Sequence, residues 1–163
     1  MVTGKTTVGR KVARSLGFQF VDTDDQIVGA AGISIPEIFA QAGEEAFRNL
    51  ETEALEKCLR GAHGRVVATG GGIVVRKKNR ELLKASGFVI WLQASVEVII
   101  DRVIRNQNRP LVATYDPLET ISKLLEERDQ LYQSVADLAI ETDDLLLDET
   151  VCGVTESARL ALG

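Results

Sequence analysis

Cysteine and histidine are scarce in this chain, with two of the first and one of the second among 163 residues. Cys58 and Cys152 lie far apart, and His63 stands alone in the glycine-rich RGAHGR. No spacing suited to zinc or an iron–sulfur cluster exists, so both cysteines are expected to be small core or helix residues. No apolar run is long enough to span a membrane, and no signal-peptide pattern leads the chain. Internal repeats and low-complexity segments are absent too. A reducing, cytoplasmic compartment is the expectation. An excess of basic charge is also lacking: 19 Lys and Arg against 24 Asp and Glu give a net charge of -5. The interleaved signs argue against a general nucleic-acid surface, while leaving room for a local basic cleft. What remains is ordinary globular material, 45% hydrophobic and 26% charged. Its length suits one domain with its own core.

Patterning along the chain alternates strand and helix. Val8, Val12 and Leu16 recur at helical spacing, with Gly17 as a stop. FQFVDTD reads as a short buried strand delivering Asp22 and Asp24 at its end. Two short helices follow over 24–31 and 34–43, the second capped by Ser34 with Pro36 in its first turn. A longer helix covers 44–59. RVVATGGG is a strand running into three glycines, and helix 76–87 leads to FVIWLQA, an apolar run suited to a strand buried on both faces. Helix 95–106, an irregular loop over 107–117, helix 118–135, strand 136–144 and a closing helix over 147–162 complete the series. Such alternation predicts an open α/β sheet.

Several stretches carry chemistry. Gly4, Lys5 and Thr6 match the end of the phosphate loop G-x-x-x-x-G-K-[ST] and open a helix whose free N–H groups form an anion site. There the lysine would neutralise β- and γ-phosphate charge and the threonine hydroxyl would hold Mg2+; a solvated lysine beside an N-cap threonine is the plainer reading. Alternate residues of an extended chain share a face, so Asp22 and Asp24 could present two carboxylates to one cleft. A cation beside Asp22 would relieve their repulsion and leave Asp24 to take a hydroxyl proton. A turn rich in capping aspartates, Asp25 included, is the alternative. Gly70, Gly71 and Gly72 at a strand end suggest close approach of a ligand to the backbone, against a plain solvent turn. Arg48, Arg109 and Arg128 lie on different segments, each able to offer a planar fork to carboxylate or phosphate. Arg128 could equally pair with Glu126 or Glu127.

In order, GKTTVGRKVARSLG, FVDTD, GISIPEIFAQAGEEAFRNLE, VVATGGGIV, NRPL and LLEERDQLY resemble the shikimate kinase family, from Gly4 to about Asp143. The resemblance implies a three-layer α/β fold of the P-loop, nucleoside-monophosphate-kinase-like type with a parallel sheet. One kinase domain over 1–163 would carry substrate-binding helices at about 24–60 and a lid at about 106–117. ATP would phosphorylate the 3-hydroxyl of shikimate with Mg2+ as cofactor, in a monomer that binds neither nucleic acid nor membrane. By the same resemblance Gly4, Lys5, Thr6, Thr7, Arg102 and Arg109 would bind the nucleotide, and Thr6 and Asp22 the metal. Asp24, Arg48, Gly70, Gly71, Gly72 and Arg128 would bind shikimate. Asp24, Lys5 and Arg109 would be the catalytic groups, and Glu51 would orient Arg48 from one helical step away.

The resemblance further implies an upstream segment of roughly ten residues, supplying a first strand and the first loop glycine. The chain as written does not carry it, and Val2 falls where the family has glycine. That strand would lie between those ending at Gly70 and Trp91–Leu92. A gap with unpaired backbone groups is therefore expected there, and with it impaired turnover. Two other readings stand beside this one: a related small-molecule kinase such as a gluconate kinase, and a noncatalytic relative that only binds shikimate.

Overall fold

The computed structural model describes residues 3–61, 64–105 and 117–163, with side chains for 3–61, 64–102 and 119–163. Strand and helix alternate along them: α1 (Lys5–Leu16), β1 (Gln19–Asp22), α2 (Thr23–Ala31), α3 (Ile35–Leu59), β2 (Arg65–Ala68), α4 (Lys77–Ser86), β3 (Ile90–Gln93), α5 (Val96–Arg105), α6 (Pro117–Gln133), β4 (Leu138–Glu141) and α7 (Leu147–Leu162). No helix among the described residues is long and apolar enough to cross a membrane.

Element boundaries have local causes. α1 stops at Gly17, whose φ of 69° lies in the left-handed region and whose N–H returns to the Ala13 and Arg14 carbonyls. α3 begins at a capping box in which Ser34 and Glu37 exchange hydrogen bonds, with Pro36 in the first turn. The two helices expected over 34–43 and 44–59 are both present within α3 and meet at a kink at Gly43, whose φ of 78° and ψ of 177° are not helical. One expectation needs correction. FQFVDTD does not run extended through Asp24: β1 stops at Asp22, whose side chain accepts the Asp24 N–H at 3.0 Å and caps α2. A local side-chain bond here competes with continued extension. Asp24 thus reaches its place from the first turn of a helix, not by alternation along a strand.

β1 and β2 pair in parallel, with Phe20 opposite Val66 and Asp22 opposite Ala68. β3 and β4 also pair in parallel, Trp91 facing Ala139. Between β2 and β3 lies a cavity of about 620 Å³, in the gap expected there. Three apolar clusters hold the layers. Val8 and Val12 of α1 pack with Leu92 of β3 and Val154 of α7, tying both strand pairs to one helical layer. Ile27 and Ile38 meet Phe47 and Ala54 where α2 folds on α3. Leu55, Ile73, Val74 and Val135 form the third cluster and anchor the segment after the glycine triplet. Fully burying each such side chain contributes about 1.5–3 kcal/mol, so the triplet's position is firmly set. Cys58 is buried on α3 and Cys152 exposed on α7.

Candidate active site

The C-terminal ends of β1 and β2 open between the starts of α1 and α2. Gly4 precedes α1 at a φ of 80°, a left-handed conformation that glycine adopts without steric cost. Lys5 Nζ donates to Thr3 Oγ1 at 3.5 Å, and Thr6 Oγ1 donates to Asp22 Oδ2 at 2.7 Å. With its other oxygen on the Asp24 N–H, the Asp22 carboxylate joins the first turn of α1 to the first turn of α2. Thr7 is exposed on that same turn of α1.

The glycine triplet forms the opposite wall. Gly70 N–H donates to Thr23 Oγ1 at 3.3 Å. A Cβ on Gly70 would stand 2.9 Å from Asp24 Oδ1 and 3.1 Å from Glu51 Oε1, and one on Gly72 only 2.1 Å from Arg48 Nη1. Charged side chains of the protein therefore crowd these two glycines, where the sequence suggested a ligand. Gly71 contributes its carbonyl, which accepts from the Tyr132 hydroxyl. The Tyr132 ring stacks on Trp91, with centroids 5.1 Å apart.

Arg48 is held on two sides. Its Nη1 donates to Glu51 Oε2 at 2.8 Å, while Nη2 and Nε donate to Glu44 Oε1 at 3.0 and 3.2 Å. Only 6% of Arg48 and 1% of Glu51 remain exposed. Burial opposes the charge on Arg48, but Glu51 and Glu44 more than offset it and keep the guanidinium firmly protonated. Burial pushes the Glu51 carboxyl above its ordinary value; Arg48 pulls it down, the nearby Asp24 adds to the rise, and Arg128 lowers it. Burial also raises the Tyr132 phenol, which Arg128 opposes by charge and hydrogen bond. Arg128 is thus near enough for its charge to act on both Tyr132 and Glu51.

The structure brings most of the sequence-derived residues together. Lys5, Gly70 and Gly71 line one cavity, and Asp24, Gly70, Glu51, Arg48 and Gly72 form a continuous chain of close approaches. Arg102 lies on α5, half-buried. Val2, His63, Arg109 and the lid segment up to 116 lie outside the described residues. Sequence reasoning missed Thr23, Glu44 and Tyr132. Tyr132 had a signal, since it follows Arg128 by four residues and so shares its helix face; Thr23, between two aspartates, had none.

Among the described residues no group of three or more acidic, cysteine or histidine side chains is placed to hold a metal. Thr6 and Asp22 offer instead a hydroxyl and a carboxylate in contact. Such a sparse, hard oxygen set fits Mg2+, which keeps several waters and takes phosphate oxygens beside one or two protein ligands.

A family model described as shikimate kinase matches residues 1–158. A shikimate kinase of Geobacter sulfurreducens is 45% identical over 159 residues, covering 98% of this chain and 87% of its own length. The structure of a shikimate kinase from Acinetobacter baumannii in complex with shikimate superposes with a TM-score of 0.91 at 39% identity, over 96% of this chain and 87% of that one. Its parallel α/β fold is the one found here. A gluconokinase from Sinorhizobium meliloti superposes with a TM-score of 0.60 at 18% identity, over 99% of this chain and 89% of that one, a likeness of fold alone.

Proposed function

Because the chain belongs to the shikimate kinase family, we propose that it transfers the γ-phosphoryl group of ATP to the 3-hydroxyl of shikimate, giving shikimate 3-phosphate and ADP. The observation that carries this reading is the buried Arg48–Glu51 pair set against Gly72, beside Asp24 at Gly70. A fixed guanidinium next to a carboxylate suits an acceptor with an acidic group at one end and hydroxyls at the other.

In this reading Arg48 and Arg128 hold the shikimate carboxylate, while Gly70, Gly71 and Gly72 shape the pocket floor. Glu51 and Glu44 fix the Arg48 fork, so little side-chain freedom is lost on binding. Asp24 accepts a hydrogen bond from the attacking hydroxyl, orients it in line with the γ-phosphorus and takes its proton. Lys5 and the first-turn N–H groups of α1, with Gly4, Thr6 and Thr7, receive the phosphates. Mg2+ held by Thr6 and Asp22 would neutralise phosphate charge when bound. By the family resemblance Arg109, outside the described residues, would serve the phosphates, and Arg102 would lie beside the adenine. The protein acts as one kinase domain over 1–163, with acceptor-binding helices at about 24–60, as a cytoplasmic monomer.

Coupled ADP-release assays with shikimate and gluconate test the assignment. Shikimate-dependent turnover at least tenfold above that with gluconate is expected. A preference for gluconate, or ADP release indifferent to shikimate, refutes it.

A further inference from the structure

Two carboxylates hold Arg48, and they hold it differently. The Glu51 side chain is 1% exposed and takes Nη1 at 2.8 Å through Oε2. The Glu44 side chain is 66% exposed, and its oxygen Oε1 takes both Nη2 at 3.0 Å and Nε at 3.2 Å. Nε and Nη2 share one edge of the guanidinium. They form a side-on fork, which a carboxylate meets best with two oxygens in parallel. Glu44 brings both donors to one oxygen, from a position four residues earlier on the same helix. Exposed ion pairs of that kind contribute little and open readily.

The charges of the pocket make this contact a temporary one. Arg48 and the nearby Arg128, whose charge acts on Glu51, bring two positive charges. Glu44, Glu51 and Asp24 bring three negative ones around the same glycines. A further carboxylate would deepen the imbalance, so an acid enters more favourably by exchange than by addition. Glu51 is too buried to leave. Phe47 also steadies the guanidinium, with Arg48 Cζ 5.4 Å from its ring centroid. Glu44 has room to go, since it follows Gly43, on which a Cβ would meet nothing within 4 Å.

We propose that Glu44 is a placeholder for the carboxylate of the acceptor: it occupies the side-on fork of Arg48 until the acid arrives, takes the fork with both oxygens and sends Glu44 out to water. The inference rests on the acceptor reading above, in which Arg48 receives the acid, and deepens it by giving its two glutamates opposite roles. Glu51 is the permanent support. Glu44 keeps the fork aimed in the meantime and costs a little affinity when it is displaced.

Calorimetry with shikimate on wild type, Glu44→Gln and Glu44→Asp tests the exchange, alongside coupled ADP release. Removing the competing charge should tighten shikimate binding about two- to fivefold in Glu44→Gln, the worth of an exposed ion pair, with KM for ATP unchanged. Glu44→Asp keeps the charge on a shorter arm and should tighten binding too, by less. A residue that only steadied Arg48 would give the opposite sign, so weaker or unchanged binding in Glu44→Gln overturns the proposal. Tightening in Glu44→Gln with none in Glu44→Asp would assign the effect to charge at a distance and overturn it as well. Shikimate-dependent ADP release in all three chains leaves the kinase reading standing in either case. No such release and no heat of binding in any chain overturns both.

Discussion

Replacing Gly72 by alanine tests the acceptor pocket with a single methyl group. The backbone tolerates the change, since Gly72 is not among the glycines of positive φ. The added Cβ would stand 2.1 Å from Arg48 Nη1, so the guanidinium must retreat by about 1.3 Å to reach the 3.4 Å of ordinary contact. Its bond to Glu51 is only 2.8 Å long, and Glu51, at 1% exposure, has no room to follow. Losing one hydrogen bond between charged groups costs about 1.5–3 kcal/mol. Taking about 2 kcal/mol as the loss in holding the acid, and about 1.4 kcal/mol per tenfold, shikimate should bind roughly 30-fold more weakly. Calorimetric Kd for shikimate and steady-state KM for shikimate and ATP measure this. The variant should weaken shikimate while leaving ATP nearly unaffected, and its urea midpoint should fall. An unchanged shikimate Kd with an unchanged midpoint would refute the idea that Arg48 must stay where Gly72 lets it lie.

Three further outcomes follow from neighbouring contacts. Thr6→Val keeps the shape but removes the donor 2.7 Å from Asp22, so half-saturation by Mg2+ in the ADP-release assay should rise about tenfold, with Thr6→Ser restoring it; no change in Thr6→Val argues against the metal role. Burial raises the Glu51 carboxyl above 4.5, so the folded chain holds that proton more tightly than the unfolded one. The resulting stability is full below about pH 4.5 and is lost as pH rises through the folded pKa. Unfolding free energy of wild type minus Glu51→Gln, measured in urea from pH 4 to 7, should therefore decline, and a flat difference contradicts the assignment. Gly9→Ala would put a Cβ 2.7 Å from Phe20 Cε2, where overpacking costs about 1–3 kcal/mol, read as a lower urea midpoint. An unchanged midpoint would mean that α1 is not seated on β1 as described.

Residue order alone settles what depends on near neighbours along the chain. Helical spacing of Val8, Val12 and Leu16, the Ser34 cap with Pro36, and the apolar run around Trp91 announce their elements because period and capping act within a few residues. The ordered motifs likewise named the family and most of the residues that meet in the site. Why those residues take the forms they do follows from packing between distant elements. Gly70 and Gly72 are bare because Asp24, Glu51 and Arg48 arrive from other elements, with residue 24 carried there by a helix start rather than a strand. The tie between Tyr132 and Gly71 spans 61 positions, and the cavity between β2 and β3 is lined by residues as far apart in sequence as Thr3 and Leu162. Contacts of that range depend on how whole layers pack, and no local pattern of charge or hydrophobicity records which backbone another segment's side chain will crowd.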